Sequence, residues 1–345
     1  MTRVGIFGAA GYGGVDLIRM LLNHPEVEIT YLGGASTVGQ TIADVYPFLT
    51  GTFEMPIEDS TVEVAAEKAD VLFFALPHAT ATSMVAQALE MGKKVIDFSA
   101  DYRLKDVATY ESYYEPHPCP ELIQRAVYGL PELHRAEILQ TDLVAVPGCY
   151  PTSAILALAP AVKNGIIETQ GIIVDSKSGV SGAGRSKLTL GTHFAEVNES
   201  VHAYSVAAHR HTPEIEQELG SLGAEVSVTF SPHLIPMNRG ILSTCYATLK
   251  QPMAAADVLD LYNEFYAGEP FIRVLAKGKL PRTKETTGSN RCHMGIVVDE
   301  RNQRLVAVSA IDNLTKGLAG AALQCLNLIT GQPETTGLEF PGLWP

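Results

Sequence analysis

Positive charge is scarce in this sequence of 345 residues. Lys and Arg number 25 against 38 Asp and Glu, which gives a formal net charge of −13, and no run of basic residues occurs. A nucleic-acid partner would require clustered basic residues, and no apolar stretch approaches the length of a membrane span. The composition therefore predicts neither a nucleic-acid partner nor a membrane partner.

Cysteine is also scarce, and the positions of the cysteines bear on disulfide bonding and on zinc binding. The odd number and wide spacing fit reduced thiols in a cytoplasm, and fit neither a disulfide frame nor a zinc site. The first residues lead directly into an apolar strand pattern, so we expect no signal or transit peptide. A cytoplasmic protein without a metal site is predicted. The five cysteines are Cys119, Cys149, Cys245, Cys292 and Cys325.

Strands and helices alternate along the first half of the chain, which predicts a doubly wound parallel sheet of the Rossmann type. A segment rich in Pro, Tyr and charge, residues 102–134, is expected to be a long, partly irregular surface excursion. The predicted strands are residues 4–7, 28–32, 71–75, 94–98 and 143–146, and the predicted helices are residues 15–22 and 79–91.

The second half has strands with the alternation of a sheet that has one wet face, and it predicts an α+β domain on a mixed or antiparallel sheet. Its last helix could return to the first domain. The predicted domains are therefore residues 1–148 with 313–345, and residues 149–312. The predicted strands are residues 171–176, 225–230, 242–249, 294–299 and 304–311, and the helices are residues 212–222, 255–266 and 314–329.

A glycine turn joins the first strand to the first helix. Its spacing, Gly8, Gly11 and Gly14, lets the backbone approach a pyrophosphate that then meets a helix N-terminus. An ordinary tight turn is the alternative. The predicted cofactor contacts are Gly8, Gly11, Tyr12, Gly13 and Gly14.

The loop after the second strand decides between nucleotides. An NAD-preferring domain places an acidic residue there, whereas this chain has Ser36 and Thr37, which could bond a 2′-phosphate. The loop favours NADP(H), although no arginine in it supports this choice.

Cys149 lies between a strand-like run and a helix-like run that has Pro151 in its first turn. At a helix N-terminus the backbone N–H groups and the helix dipole lower a thiol pKa, and the same N–H groups could stabilise an oxyanion. Cys149 is thus a candidate nucleophile. The alternative is a small buried hydrophobe.

His209 and His211 are candidates for proton transfer, because imidazole has a well-matched pKa. Pro213 places His211 near a helix N-cap and near Glu214, where it would be held. We therefore interpret His209 as the acid/base, with His211 and Glu214 supporting it. If residues 205–209 are extended, both histidines share a face. Packing or capping is the alternative role, and metal binding is disfavoured.

Two further features suit an anion. Arg103 follows a strand at the edge expected to face a cleft, and a guanidinium binds phosphate or carboxylate bidentately. A surface ion pair with Asp101 is the alternative. The loop of residues 178–185 offers backbone N–H groups and hydroxyls for an anion or a thioester, and a flexible turn is its alternative.

Taken together, motifs spread along nearly the whole chain resemble the N-acetyl-gamma-glutamyl-phosphate reductase family. One departure is Ala79, where the family pattern has glycine after Pro-His. The motifs are residues 8–14, 97–104, 128–133, 147–152, 178–185, 209–214, 238–241, 288–290 and 312–317.

The resemblance implies the fold of semialdehyde dehydrogenases and NADPH-dependent reduction of an acyl phosphate to an aldehyde, in a homo-oligomer expected to be a tetramer. It makes residues 149–312 the catalytic and oligomerisation domain, with Cys149 carrying a thioester. The same chemistry on an aminoadipyl or aspartyl phosphate, or a non-catalytic nucleotide sensor, are the alternatives. By this resemblance Asn313, Lys316 and Gly317 contact the cofactor. Ser178 and Gly179 are further predicted cofactor contacts, and Arg103, Ser181 and Arg185 are the predicted substrate contacts.

Overall fold

The computed structural model describes residues 1–186 and 189–344, and these fall into two compact units. The first unit consists of Met1–Pro147, Gly184–Ser186 and Leu318–Glu339. The second consists of the described residues of Gly148–Ala183, Lys187–Gly317 and Phe340–Pro345. The chain thus passes from the first unit to the second immediately before Cys149.

The first unit is built on a parallel sheet with the strand order β3-β2-β1-β4-β5-β7-β6. The order reverses between β1 and β4, which is the switch point of a doubly wound sheet. The predicted parallel sheet is confirmed. The strands are β1 (Thr2–Phe7), β2 (Val27–Gly34), β3 (Glu58–Asp59), β4 (Val71–Phe74), β5 (Lys94–Asp97), β6 (Val127–Tyr128) and β7 (Leu143–Ala145). The helices are α1 (Tyr12–Leu21), α2 (Ile42–Val45), α3 (Val62–Lys68), α4 (Thr82–Glu90), α5 (Val107–Tyr113) and α6 (Pro131–Ile138).

The segment of residues 102–134 is not the surface excursion that its composition predicts. Tyr102, Ile123 and Ala126 are buried in one core cluster with the sheet residues Phe7 and Phe74. The segment also contains α5, β6 and the start of α6. Its tyrosines contribute large apolar rings to the core, which a reading based on charge and proline does not detect.

The second unit is built on a mixed sheet with the strand order β12-β13-β14-β11-β8-β10-β9. Only the pairs β8–β10 and β12–β13 are parallel. The predicted α+β domain is confirmed. The elements are α7 (Cys149–Lys163), β8 (Ile172–Ser178), α8 (Phe194–Val197), β9 (His202–Ala203), α9 (Thr212–Gly220), β10 (Val228–Leu234), β11 (Ile241–Thr248), α10 (Ala255–Phe265), β12 (Ile272–Val274), β13 (Cys292–Asp299) and β14 (Arg304–Ile311).

The helix α7 covers one face of the mixed sheet. It packs against β11 and β14, and nearly all of its side chains are buried. Buried and part-exposed residues alternate along β11, so the opposite face of the sheet is partly open. Ile173 and Val297, exposed by 36% and 39%, lie in strands of this sheet.

The chain then returns to the first unit through α11 (Gly320–Ile329). The helix predicted for residues 314–329 is interrupted, since Thr315–Ala319 form a π-helical turn before α11 begins. Such turns are rare and concentrate at functional sites. Among the described residues, no helix has the length and hydropathy required to cross a membrane.

Candidate active site

The glycine turn of the first unit has the shape of a phosphate cradle. Gly8 has a φ of +76°, and a Cβ there would lie 2.2 Å from the carbonyl oxygen of Ala75. A Cβ at Gly14 would lie 2.5 Å from the carbonyl oxygen of Gly8, and one at Gly13 would lie 2.9 Å from Leu318. Only glycine therefore allows β1, α1 and their neighbours to approach this closely.

The N-terminus of α1 is open to an anion. Its N-cap is Gly11, which has no side chain to cap the helix, and its first turn contains no acidic residue. The first-turn N–H groups of a helix have no intrahelical carbonyl to bond, and the helix dipole favours negative charge at this end. Tyr12, the first helical residue, is exposed by 36%. The turn therefore fits the diphosphate of a dinucleotide.

The loop after β2 separates two predicted cofactor residues by exposure. Ser36 is exposed, whereas Thr37 is buried. A Cβ at Gly34 would lie 2.9 Å from the Thr37 Oγ1, so the Thr37 side chain packs back against the end of β2. Of this pair, Ser36 is the residue whose hydroxyl is available to a 2′-phosphate.

Arg185 lies against the glycine turn rather than in the second unit. Its Nη1 donates to the carbonyl oxygen of Ala10 at 3.4 Å, and its guanidinium lies 5.3 Å from the ring centre of Tyr46. The Tyr46 hydroxyl donates to the same carbonyl at 2.9 Å. The structure thus places an arginine beside the nucleotide turn, a contact that no local sequence signal predicts.

Ala79 has a φ of +58°, the left-handed conformation that glycine adopts without strain. Its N–H group is held by both carboxylate oxygens of the buried Asp101, at 3.0 and 2.9 Å. The Asp101 carboxylate also accepts the Tyr110 hydroxyl at 2.8 Å. The Asp101 carboxylate thus holds the Ala79 amide in this left-handed conformation.

Arg103 is buried and binds the main chain at the ends of two strands. Its Nε donates to the carbonyl of Val146 at 2.7 Å, and its Nη2 donates to that of Phe98 at 2.8 Å. Phe98 follows β5, and Val146 follows β7 and precedes Pro147. Arg103 is therefore not the surface side chain of the alternative interpretation, and at least two of its donors fix the strand ends that lead to Cys149.

In the second unit, Cys149 is the first residue of α7, as predicted, and Gly148 is its N-cap. Cys149 is partly exposed. The Gly148 N–H donates to Oε1 of Glu214 at 2.7 Å, and Glu214 is only 2% exposed. A buried carboxylate on the first turn of α9 thus fixes the amide directly before the cysteine.

His209 and His211 cluster around the residue that follows the cysteine. Their ring centres lie 5.8 and 6.0 Å from that of Tyr150, and 4.7 Å from each other. Burial, reinforced by Arg210, lowers the pKa of His209 to about 4, so its ring is neutral near neutral pH. The described residues contain no group of three or more His, Cys, Asp or Glu arranged to hold a metal ion.

The segment before these histidines does not meet the condition under which both would share a face. The strand β9 ends at Ala203, and Ser205 and Ala207 have φ values of 46° and 56°, so residues 205–209 are not extended. His211 occupies the N-cap position of α9, but its side chain makes no capping bond. Its main-chain N–H donates to Nδ1 of His209 at 3.1 Å. The neutral His209 ring therefore carries its proton on Nε2.

The loop that begins at Ser178 is fixed by Asn313. The Asn313 amide donates to the Ser181 hydroxyl at 3.0 Å and accepts the Gly240 N–H at 2.7 Å. A Cβ at Gly179 would lie 2.6 Å from the carbonyl oxygen of Asn238, so this glycine permits a close approach of two main chains. Asn313 thus has a structural task in addition to the predicted cofactor contact.

Gly317 lies near the cysteine, and Lys316 directly precedes it in the same unit. Lys316 is fully buried, with its Nζ 5.7 Å from the ring centre of Phe271. A Cβ at Gly317 would lie 2.9 Å from the Cβ of Cys149. The close approach at Gly317 restricts the space beside the nucleophile.

Two residues at the centre of this network received no role from the sequence. Asp312 is fully buried and forms a bidentate ion pair with Arg239, at 2.8 and 3.1 Å. Its carboxylate also accepts the N–H groups of Gly288 and Leu314. Asp312, Arg239 and their partners Gly288 and Leu314 all lie in segments that carried the family resemblance. That resemblance was the one sequence signal for them, because their contacts join distant parts of the chain.

Comparison with known proteins agrees with this geometry. Residues 3–141 match the family described as "Semialdehyde dehydrogenase, NAD binding domain", and residues 149–313 match "Semialdehyde dehydrogenase, dimerisation domain". Aspartate semialdehyde dehydrogenase II of Vibrio cholerae has the same fold, with a TM-score of 0.74, 18% identity, and coverage of 96% of this chain and 99% of that chain. The Candida albicans aspartate semialdehyde dehydrogenase with NADP gives a TM-score of 0.73 at 16% identity, covering 96% and 98%.

Relatives of much higher identity carry one name. The N-acetyl-gamma-glutamyl-phosphate reductase of Pelotomaculum thermopropionicum is 52% identical over 346 residues, covering 100% of this chain and 99% of its own. That of Moorella thermoacetica is 53% identical over 347 residues, covering 100% of both. The chain therefore belongs to the semialdehyde dehydrogenase family and, within it, to the N-acetyl-gamma-glutamyl-phosphate reductases.

Proposed function

We propose that this protein reduces N-acetyl-L-glutamyl 5-phosphate to N-acetyl-L-glutamate 5-semialdehyde and releases phosphate, a step of arginine biosynthesis. The observation that carries the proposal is the position of Cys149, a partly exposed residue at the N-terminus of α7. The relatives that bear this activity in their name match the whole chain at about half identity. The aminoadipyl, aspartyl and nucleotide-sensing alternatives have no comparable support.

The thiol divides the reaction into two steps. The Cys149 thiolate attacks the acyl carbon, a C–S bond forms, and the C–O bond to phosphate breaks, which leaves a thioester on the protein. NADPH, when bound, supplies the hydride that reduces this thioester. The resulting tetrahedral alkoxide collapses, the C–S bond breaks, and the aldehyde leaves as the thiolate is restored.

The helix N-terminus and His209 act on the charge that develops in these steps. Helix geometry directs the amides of Cys149 and Tyr150 outward, where they can stabilise an oxyanion. His209 is neutral and carries its proton on Nε2. His209 therefore donates a hydrogen bond from Nε2 to the oxygen of the tetrahedral intermediate, and any proton that this oxygen takes up returns to Nε2 before the C–S bond breaks. His209 thus ends each turnover neutral, with His211 as its neighbour.

His209 and His211 can be separated by matched substitutions. His209→Asn should lower kcat by roughly 10²–10⁴-fold, the usual effect of losing general acid–base catalysis, without changing the NADPH Kd. His211→Asn is the comparison variant and should be the milder change. A larger loss of kcat in a folded His211→Asn protein would exchange the two roles.

Several residues are proposed to position the site rather than to react. Glu214 anchors the Gly148 amide, and Arg103 fixes the Val146 carbonyl two residues before Gly148. Asn313 holds Ser181, which keeps the loop available for substrate.

NADP(H) is the proposed cofactor, and two sets of residues are proposed to contact it. The glycine turn fits the diphosphate, as its open helix N-terminus supports, and Ser36 is an exposed hydroxyl donor at the end of β2. The proposed contacts are Gly8, Gly11, Tyr12, Gly13, Gly14 and Ser36 in the first unit, and Ser178, Gly179, Asn313, Lys316 and Gly317 in the second; Thr37 is left out because its side chain is buried.

We further propose that the protein is a cytoplasmic homotetramer. The second unit matches a dimerisation domain, and one face of its sheet leaves Ile173 and Val297 exposed. A second copy that covers this face would bury them. The five cysteines are odd in number and widely spaced in the sequence, which fits a reducing compartment. Sedimentation equilibrium measures the oligomeric state, and a monomer at micromolar concentration would contradict the assignment.

The substrate is tested by running the reaction in reverse. Phosphate-dependent reduction of NADP is measured with N-acetylglutamate, aminoadipate and aspartate semialdehydes, and the first should give by far the highest kcat/KM. Cys149→Ala should abolish turnover while NADPH still binds, whereas Cys119→Ala, the matched thiol deletion, should remain active. Turnover by Cys149→Ala, or a preference for another semialdehyde, would contradict the proposal.

A further inference from the structure

The part of the first unit that follows the glycine turn contains almost no positive charge. No Lys or Arg occurs between Arg19 and Lys68, a stretch that includes β2, the loop after it and β3. Both residues that delimit the stretch pair with carboxylates: Arg19 with Asp16 at 3.0 Å and Lys68 with Glu58 at 2.6 Å. A 2′-phosphate is a dianion and is bound through charge-assisted hydrogen bonds, so its cation must come from elsewhere in the chain.

Arg185 is positioned to supply that cation. The segment Gly184–Ser186 belongs to the first unit, although it is remote from that unit in the sequence. The Arg185 guanidinium lies over the Tyr46 ring and donates one long hydrogen bond of 3.4 Å to the carbonyl oxygen of Ala10, in the glycine turn. Arg185 is exposed. Among the residues that the structure describes, the Arg185 side chain makes this one weak hydrogen bond, so the remaining donors of the five on a guanidinium can bond a ligand.

Tyr46 supports the position of the Arg185 guanidinium beside the glycine turn. Its hydroxyl is bonded to the same Ala10 carbonyl, at 2.9 Å. Burial raises its pKa, and the nearby Arg185 charge acts in the opposite direction. The ring therefore stays neutral and offers a cation–π contact, which keeps the guanidinium beside the turn.

We propose that Arg185 binds the adenosine 2′-phosphate of NADPH and is the main determinant of NADPH over NADH in this protein, with Ser36 as a neutral second donor. This assignment replaces the substrate contact expected from the sequence, because Arg185 contacts the nucleotide turn of the first unit. It also explains how a loop without Lys or Arg can bind a 2′-phosphate, since the cation, Arg185, comes from a segment 149 residues beyond Ser36 (185 − 36).

The test measures binding in the absence of turnover. The affinities of NADPH and NADH are determined from nicotinamide fluorescence, and those of 2′,5′-ADP and 5′-AMP by calorimetry. Arg185→Ala should weaken NADPH and 2′,5′-ADP by about 10- to 100-fold, the range for a hydrogen bond to a charged group, and leave NADH and 5′-AMP within about twofold. Arg301→Ala, an exposed arginine in the β13–β14 turn, is the matched loss of charge and should change none of the four.

Two further variants test the supporting contact. Tyr46→Phe keeps the ring and should retain most of the NADPH affinity, whereas Tyr46→Leu should lose part of it. The proposal is overturned if Arg185→Ala weakens NADPH and NADH equally, which would indicate a diphosphate contact, or if it changes neither. These outcomes are independent of the substrate assay, because no acyl phosphate is present.

Discussion

Replacing Glu214 by glutamine tests how the nucleophile is held. Glu214 is 2% exposed, and its carboxylate accepts the Gly148 N–H at 2.7 Å. Gly148 is the N-cap of the helix that begins with Cys149. Glutamine keeps the length of the side chain and an acceptor oxygen, and removes only the charge.

The structure sets the size of the effect. A hydrogen bond to a charged group contributes about 1.5–3 kcal/mol, against roughly 0.5–1.5 kcal/mol for a neutral one. The difference of about 1–1.5 kcal/mol corresponds to roughly a tenfold change in rate if the bond serves the transition state. Glu214→Ala also leaves a buried N–H without its partner, at a cost of roughly 1–3 kcal/mol in stability, so glutamine is the informative substitution.

The matched control is in the same helix. The Glu216 carboxylate accepts the N–H of Val228 at 2.9 Å, which ties α9 to β10 rather than to the cysteine turn. Glu214→Gln should lower kcat about tenfold with an unchanged NADPH Kd, and Glu216→Gln should leave kcat within about twofold. Steady-state kinetics and calorimetric unfolding are measured for both. Equal kcat values in the two variants would refute the positioning role of Glu214.

Three other predictions concern single residues. Ala79→Gly relieves a left-handed alanine (φ +58°) and should raise the melting temperature of the apoprotein by about 2–4 °C, or about 1 kcal/mol, whereas Ala86→Gly inside α4 should lower it; a lower value for Ala79→Gly would refute the strain. Burial raises the pKa of Asp97 to about 7, above the unfolded value, so stability falls as pH rises from about 4 to about 7. Asp97→Asn should flatten this fall in urea titrations between pH 5 and pH 8, and an unchanged slope would count against it. Gly317→Ala places a Cβ 2.9 Å from that of Cys149 and should reduce the rate of Cys149 alkylation by iodoacetamide, which an unaltered rate would contradict.

The sequence by itself determined the elements and their class, because these depend on local signals. Apolar runs with helices between them predicted the parallel sheet, and glycines flanked by a strand and a helix predicted the nucleotide turn. Gly148 and Pro151 marked the start of a helix at Cys149 through conformational preferences that act within four residues. Such preferences can be recognised in the sequence without knowledge of the rest of the fold.

Only the tertiary structure decided which distant groups meet. The Glu214 carboxylate reaches an amide 66 residues earlier in the chain, and Arg185 lies beside Ala10, 175 residues away. The left-handed Ser205 and Ala207 redirect the chain before His209. The alternation of side chains along a strand could not separate His209 from His211. These contacts depend on how helices and loops pack over the sheets, and no local propensity encodes that packing, because the partners of a long-range hydrogen bond are chosen by the whole fold.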